Sequence, residues 1–282
     1  MRLFVVLVGL LLALNAAAGS SDGDKNCVDF AQPLQQGVFT WAKVAPGSVV
    51  LLNGEALDVL DNGWFLLGFS RNAKKTALLE ISGPQKCHQR LHIASRDYHI
   101  SRVEGVPKRT VTPSKEHLDR IARERKLVRA AKAQRLRRPD LIQAVIDGLQ
   151  WPLMGRISGV YGSQRFYNGV PGNPHYGVDV ARPTGTPVLA PGPGVITLAE
   201  PDLFFSGGTV ILDHGYGLSS SFLHMSKVLV EVGQEVKTGA VIGEVGATGR
   251  ATGPHLDWRM SWRNRRVDPQ LLVPPMPEPA QR

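Results

Sequence analysis

Five side chains in the C-terminal half of the sequence carry candidate chemistry: His175 and Asp179 in HYGVD, His224 in SSFLHMS, and His255 with Asp257 in GPHLDWRM. Imidazoles and carboxylates in this number are enough for a hydrolytic metal centre, which needs ligands around one cation, an open coordination position for water, and further groups that move protons. Taken singly, each has a plainer reading. His175 and Asp179 would form a loop hydrogen-bond pair, and His255 would be a satisfied strand histidine. His214, in LDHGYG, reads as shaping a turn; His88, His92 and His99 have a spacing that fits no common ligand set and read as strand surface.

The elements that must position these groups follow from local pattern. His255 and Asp257 are two apart in a stretch of strand character, so both leave one face and can meet one ion. His175 and Asp179 are four apart, but Gly177 and the turn formers Pro171, Gly172 and Pro174 predict a loop entering a strand rather than a helix. No HExxH helix occurs in the sequence.

Short apolar runs separated by Gly, Asn, Asp and Ser turns predict a mainly β protein. An N-terminal antiparallel β-module is expected over 19–106, a basic helical linker over 107–150, a second β-rich unit over 151–273 and a flexible Pro-rich tail over 274–282. Between Pro107 and Asp140 twelve Lys and Arg stand against four acids, so this stretch alone carries +8 of the chain's formal +9. The run from Ser114 to Arg138 lacks Gly and Pro and predicts a helix with Ser114 and Glu116 near its start, interrupted at Pro139. Such a helix is either a solvated connector or an electrostatic attachment to an anionic envelope surface. Nucleic acid is not expected as its partner, because the chain is read as exported.

That export is read from the N-terminus. Residues 1–18 have one basic residue, Arg2, an apolar run from Leu3 to Leu14, and the small-residue exit Ala16, Ala17 and Ala18, the pattern of a secretory signal peptide. The apolar run is shorter than the ~20 residues of a membrane span, so no transmembrane segment is expected. Cys27 and Cys87 are the two cysteines; an even pair in an exported chain favours a disulfide, which on a chain-entropy account contributes about 4 kcal/mol.

From about Trp151 to Leu272 the segments GRISGVYGSQR, HYGVDVARPTGTPVLAPGPGVI, GTVILDHGYGLSSSFLHMS and VEVGQEVKTGAVIGEVGATGRATGPHLDW resemble, in order, the LytM/lysostaphin-type zinc metallopeptidases that cut peptidoglycan cross-links. The first module also resembles the N-terminal domain that accompanies some proteobacterial members. The resemblance implies an antiparallel β-sandwich peptidase domain that binds Zn²⁺ and acts on peptidoglycan stem peptides in the periplasm. It makes His175 and Asp179 zinc ligands and His224 and His255 catalytic histidines. The third ligand should be the second His of an HxH motif, and this chain has Asp257 there.

Aspartate can reach an ion that histidine would bind through Nδ1, because its carboxylate oxygen also lies two bonds beyond Cβ. Zinc accepts a His, Asp, Asp set with water, but two carboxylates leave the shell formally neutral where two histidines and one aspartate leave +1, which weakens the Lewis acid. Arg259, two residues further on the same face, offers Asp257 a competing ion pair. The functional expectation is therefore a zinc endopeptidase of peptidoglycan cross-links, with a non-catalytic peptidoglycan-binding regulator or amidase activator as the alternative.

Overall fold

The computed structural model describes residues 26–104 and 115–277. The expected signal peptide and its cleavage site, Pro107 and Ser114 in the linker, and the tail from 278 onward lie outside the described residues. Within them the chain is mainly β, with two α-helices.

The element that positions the site is an eight-stranded sheet. Its central path runs Glu235–Val236, Gly194–Leu203, Gly207–Asp213, Leu218–Met225, His255–Trp262, Val178–Ala181, Arg156–Gly159, and Arg265–Val267 pairs with the end of His255–Trp262. The His255–Trp262 strand shows why these residues make a strand with two different faces. Leu256, Trp258, Met260 and Trp262 alternate into the core and are fully buried or nearly so, which sends His255, Asp257, Arg259 and Ser261 to the opposite face. A shift of one residue would exchange chemistry for core. Three smaller strands, Pro187–Leu189, Val241–Glu244 and Lys227–Val228, form a second sheet in this region.

The first module holds a four-stranded sheet of Glu55–Leu57, Val49–Leu52, Thr76–Ser82 and Cys87–His92, and a two-stranded ribbon of Phe39–Lys43 with Trp64–Gly68. Cys27 and Cys87 form the expected disulfide, with Cα atoms 5.8 Å apart. His88 and His92 are exposed on Cys87–His92, as strand-surface residues should be, whereas His99 is exposed in the loop just ahead of Ile100–Val103. The module shares one continuous core with the large sheet: Phe39 meets Trp262 with ring centroids 6.2 Å apart. Ile100–Val103 pairs in parallel with Gln164–Tyr167, while every other ladder between the strands described is antiparallel.

The expected helix over 114–138 ends early. Helix α1 spans Lys115–Ala133 and helix α2 spans Pro139–Asp147. The stretch between them is drawn into other bonding: the Leu136 carbonyl accepts a hydrogen bond from the Tyr216 amide at 2.9 Å, and Arg138, ahead of Pro139, takes φ −119°, ψ 88°. Proline disfavours helical geometry in the preceding residue, which accounts for Arg138, while the bond from Tyr216 to Leu136 brings the end of the helix further forward. Nor is α1 a solvated connector on every side. Ala131, with Val128 beside it, packs on Leu198, Leu203 and Ile211 of the large sheet, on the face that carries Asp257 and Arg259.

Candidate metal and catalytic site

The loop-to-strand reading of HYGVD holds: His175 lies in the loop that enters Val178–Ala181, whose second residue is Asp179. That strand pairs antiparallel with His255–Trp262 so that Asp179 stands opposite Asp257. On the other side, Leu218–Met225 places Leu223 opposite Asp257, and His224 follows at its end. Three segments remote in sequence therefore deliver five side chains to one end of one sheet face.

Two glycines make room. A Cβ at Gly177 would meet Asp257 Oδ1 at 2.5 Å, and one at Gly159 would collide with the Asp179 carboxylate. These positions need a missing side chain for close approach rather than for an unusual backbone angle. His224 is the unusual backbone, with φ +65°. A non-glycine residue in the left-handed region costs of order 1–3 kcal/mol, and here it aims the imidazole into the site.

His175 Nε2 lies 3.1 Å from Asp179 Oδ1 and 3.5 Å from Asp257 Oδ1. His175 Nε2 and Asp179 Oδ1 are nonetheless buried without a hydrogen-bond partner. They face a common point instead of bonding to each other. The other ring nitrogen, Nδ1, contacts the Val160 carbonyl at 3.3 Å; a carbonyl only accepts, so Nδ1 carries the proton and the Nε2 lone pair is left for a cation. Burial pushes His175 down, but Asp179 and Asp257 outweigh it and raise the imidazole to about 10. Two carboxylates thus demand a positive charge at this point, by proton or by metal. Among the described residues these three form the His/Cys/Asp/Glu group close enough to hold one ion.

The two remaining histidines share a second arrangement. His224 Nδ1 donates to the Thr248 carbonyl at 2.8 Å and His255 Nδ1 to the Gly253 carbonyl at 2.8 Å, which turns both Nε2 atoms toward the site. Their rings lie 4.9 Å apart, and His255 Nε2 is 3.9 Å from Asp179 Oδ1. Burial lowers His224, so its imidazole is neutral and able to accept a proton.

Arg259 does pair with Asp257, without withdrawing it. Its Nε is 3.0 Å from both carboxylate oxygens and its terminal nitrogen is 2.5 Å from Oδ2, while Oδ1 stays on the side of His175. Burial disfavours the Asp257 carboxylate, but Arg259 and His175 more than offset it and hold the group well below the usual carboxylate range. The two fates that the sequence sets against each other coexist. His214, by contrast, lies buried away from these groups, between the Pro193 carbonyl at 2.8 Å and Ser220 Oγ at 2.9 Å, and burial pushes it down to about 4.

Comparison with known proteins decides the family. The profile of Peptidase family M23 matches residues 173–269. A crystal structure of a peptidase M23 from Pseudomonas aeruginosa is 31% identical, with a TM-score of 0.64, and the match covers 86% of this chain and 95% of that one. The chain belongs to peptidase family M23. Among curated M23-like relatives, peptidoglycan DD-endopeptidase ShyA of Vibrio cholerae is 42% identical over 103 residues, 36% of this chain and 24% of that protein. DD-carboxypeptidase/endopeptidase Mpg of Neisseria meningitidis is 39% identical over 104 residues, 37% and 24% of the two chains. The chain thus spans about a quarter of the length of these curated relatives. The family is one of peptide hydrolases, as the resemblance implied, and the matched region contains all five candidate residues.

Residue patterns did not foretell several parts of this M23 site. Gly159, the carbonyls of Thr248 and Gly253, and the left-handed turn at His224 became visible only in three dimensions. Gly177 was legible as a turn former but not as the space beside Asp257.

Proposed function

We propose that this chain is a zinc-dependent endopeptidase that hydrolyses peptide cross-links of peptidoglycan in the cell envelope, acting after export to the periplasm. His175, Asp179 and Asp257 hold the zinc ion, and His224 and His255 are the catalytic histidines. The observation that carries the reading is the convergence of His175 Nε2, Asp179 Oδ1 and Asp257 Oδ1, the first two buried and lacking a hydrogen-bond partner. A bound zinc would supply Lewis acidity toward the scissile carbonyl and lower the pKa of an attacking water. His224, neutral through burial, is suited to accept a proton at Nε2. His255, anchored at Gly253 beside His224, is suited to deliver a proton or hydrogen bond from Nε2 to the oxyanion and leaving amine. The named activities of ShyA and Mpg support peptidoglycan as the substrate.

Arg259 bears on the strength of that zinc site. One neutral histidine and two carboxylates carry −2; adding the Arg259 guanidinium gives −1, the value of the two-histidine, one-aspartate set. The guanidinium therefore returns to the site the charge that aspartate at 257 removes.

The alternative, a non-catalytic peptidoglycan-binding regulator or an activator of a wall amidase, draws its support from the same ion pair, since Arg259 competes with metal for Asp257. Zinc content of the purified mature chain, measured beside digestion of cross-linked muropeptides, separates the two. Stoichiometric zinc with cleavage is the expected result; a metal-free, inert protein that still binds sacculi establishes the regulator.

A further inference from the structure

A cavity of about 490 Å³ lies between helix α1 and the large sheet, on the same face as Asp257. Its lining is strongly cationic. Arg125, Arg129 and Lys132 recur at i, i+4 and i+7, so one helix face turns them toward the sheet, which answers with Arg259, Arg263 and Arg266. Two of these charges are neutralised at home: Arg259 by Asp257, and Arg263 by Glu55 at 2.7 Å and Asp58 at 3.0 Å. Glu124, the one carboxylate in the lining, is already held by Arg120 at 2.6 Å and by the Phe204 amide at 2.9 Å.

Arg125, Arg129, Lys132 and Arg266 have no acidic partner among the described residues. Lys132 and Arg266 are half-buried and Arg125 and Arg129 are exposed at the mouth, so four cations line one cavity with no counter-charge to screen their mutual repulsion. Ser221 adds a second, independent observation. It is 3% exposed, stands opposite Arg259 in the strand register, lines the cavity, and its Oγ has no hydrogen-bond partner. Burial, with Arg266 and Arg259 beside it, also pushes the Lys132 ammonium well below its ordinary range, which an anion would reverse.

We propose that this cavity is a carboxylate-binding subsite that takes the free carboxylate of an acidic peptide, with Lys132, Arg266 and Ser221 at its inner end and Arg125 and Arg129 at its rim. The volume suits a peptide segment rather than a lone ion. Its inner end meets the candidate zinc site through the Arg259–Asp257 pair, so a peptide held there by its carboxylate would present a neighbouring bond to the histidines. This assignment of the ligand rests on the peptidase reading, whereas its test does not require turnover.

Full-length mature protein, stripped of metal, is titrated calorimetrically with acetyl-D-alanyl-D-alanine as the free acid, with its C-terminal amide, and with inorganic phosphate. The free acid should bind at least about tenfold more tightly than the amide, as loss of a charge-assisted contact requires. Lys132→Met should remove most of that preference, and Ser221→Ala, which leaves the charge and the fold's packing in place, should weaken acid binding severalfold; zinc uptake should be unchanged in both. Equal binding of acid and amide, phosphate binding without acid binding, or full acid binding by a folded Ser221→Ala protein would overturn the proposal. Acid binding by a protein that hydrolyses nothing would leave this subsite standing and remove the peptidase reading, and cleavage without acid preference would do the reverse.

Discussion

Two patches on one sheet face, separated by two residues of one strand, handle charge in opposite ways. Around His175, Asp179, His255 and Asp257 opposite charges converge and polar atoms turn toward one point. Around Arg259, Arg266 and Lys132 like charges gather, and the sole carboxylate in the lining is bound elsewhere. The difference teaches where each patch expects its missing partner: the first lacks a cation, the second an anion. Arg259 is the hinge of the comparison, because its guanidinium serves both.

The strongest way to break this contrast is to remove the cation's ligands. Asp179→Ala or His175→Ala should abolish zinc retention, measured by metal analysis after dialysis, and with it all hydrolysis; stoichiometric zinc in Asp179→Ala would dissolve the first patch as a metal site. His255→Ala and His224→Ala should keep zinc while losing about 10²- to 10⁴-fold in turnover of muropeptides, the usual cost of a lost general acid or base. Zinc loss in His255→Ala equal to that in His175→Ala would make His255 a ligand.

Asp257→His sharpens the comparison further. On sequence alone it restores the +1 metal shell and should strengthen the site. The structure reverses that expectation, since the change strands the Arg259 guanidinium beside Lys132 and Arg266. Removing one partner of a buried pair costs about 3–5 kcal/mol, so Asp257→His should melt earlier and hold zinc less tightly. The double change Asp257→His with Arg259→Gln should recover much of both. A single mutant as stable as the parent and richer in zinc would show that Arg259 has no share in the site.

The smallest expected effect lies outside both patches. Arg123 and Lys126 are exposed on α1, turned from the cavity. Reversing both charges should weaken binding to intact sacculi severalfold at low salt, with little effect at high salt or on cleavage of small soluble fragments. Salt-independent binding would confine the role of the helix to its inward face.

The sequence made the ingredients of the first patch legible because they sit in short motifs whose spacing obeys strand and loop geometry, as His255 and Asp257 on one face show. The mainly β character and the disulfide were legible for the same reason, since each rests on local pattern or on a pair of residues. The end of α1 at Ala133 was less so: Pro139 announced a break, but the Leu136 carbonyl bonding to Tyr216 that brings it forward joins residues 80 positions apart. The second patch was hidden for that reason too. Arg125, Arg129 and Lys132 are visible at helical spacing, yet only the docking of α1 on Leu198 and Ile211 reveals that this charged face looks inward. Likewise, sequence posed Arg259 and zinc as rivals for Asp257 because it could not show that a carboxylate has two oxygens pointing two ways.

The seam between the first module and the peptidase sheet carries a practical consequence for anyone who wishes to work with the latter alone. A fragment cut at Trp151 would keep all five candidate residues but forfeit Phe39 from the Trp262 side, the Glu55 and Asp58 carboxylates from Arg263, and the Ile100–Val103 strand from the edge of Gln164–Tyr167. What remains is a wet tryptophan, a lonely guanidinium and an open hydrogen-bonding edge, the recipe for inclusion bodies rather than a minimal enzyme. Expression trials are better begun at Cys27, with the oxidised bridge intact.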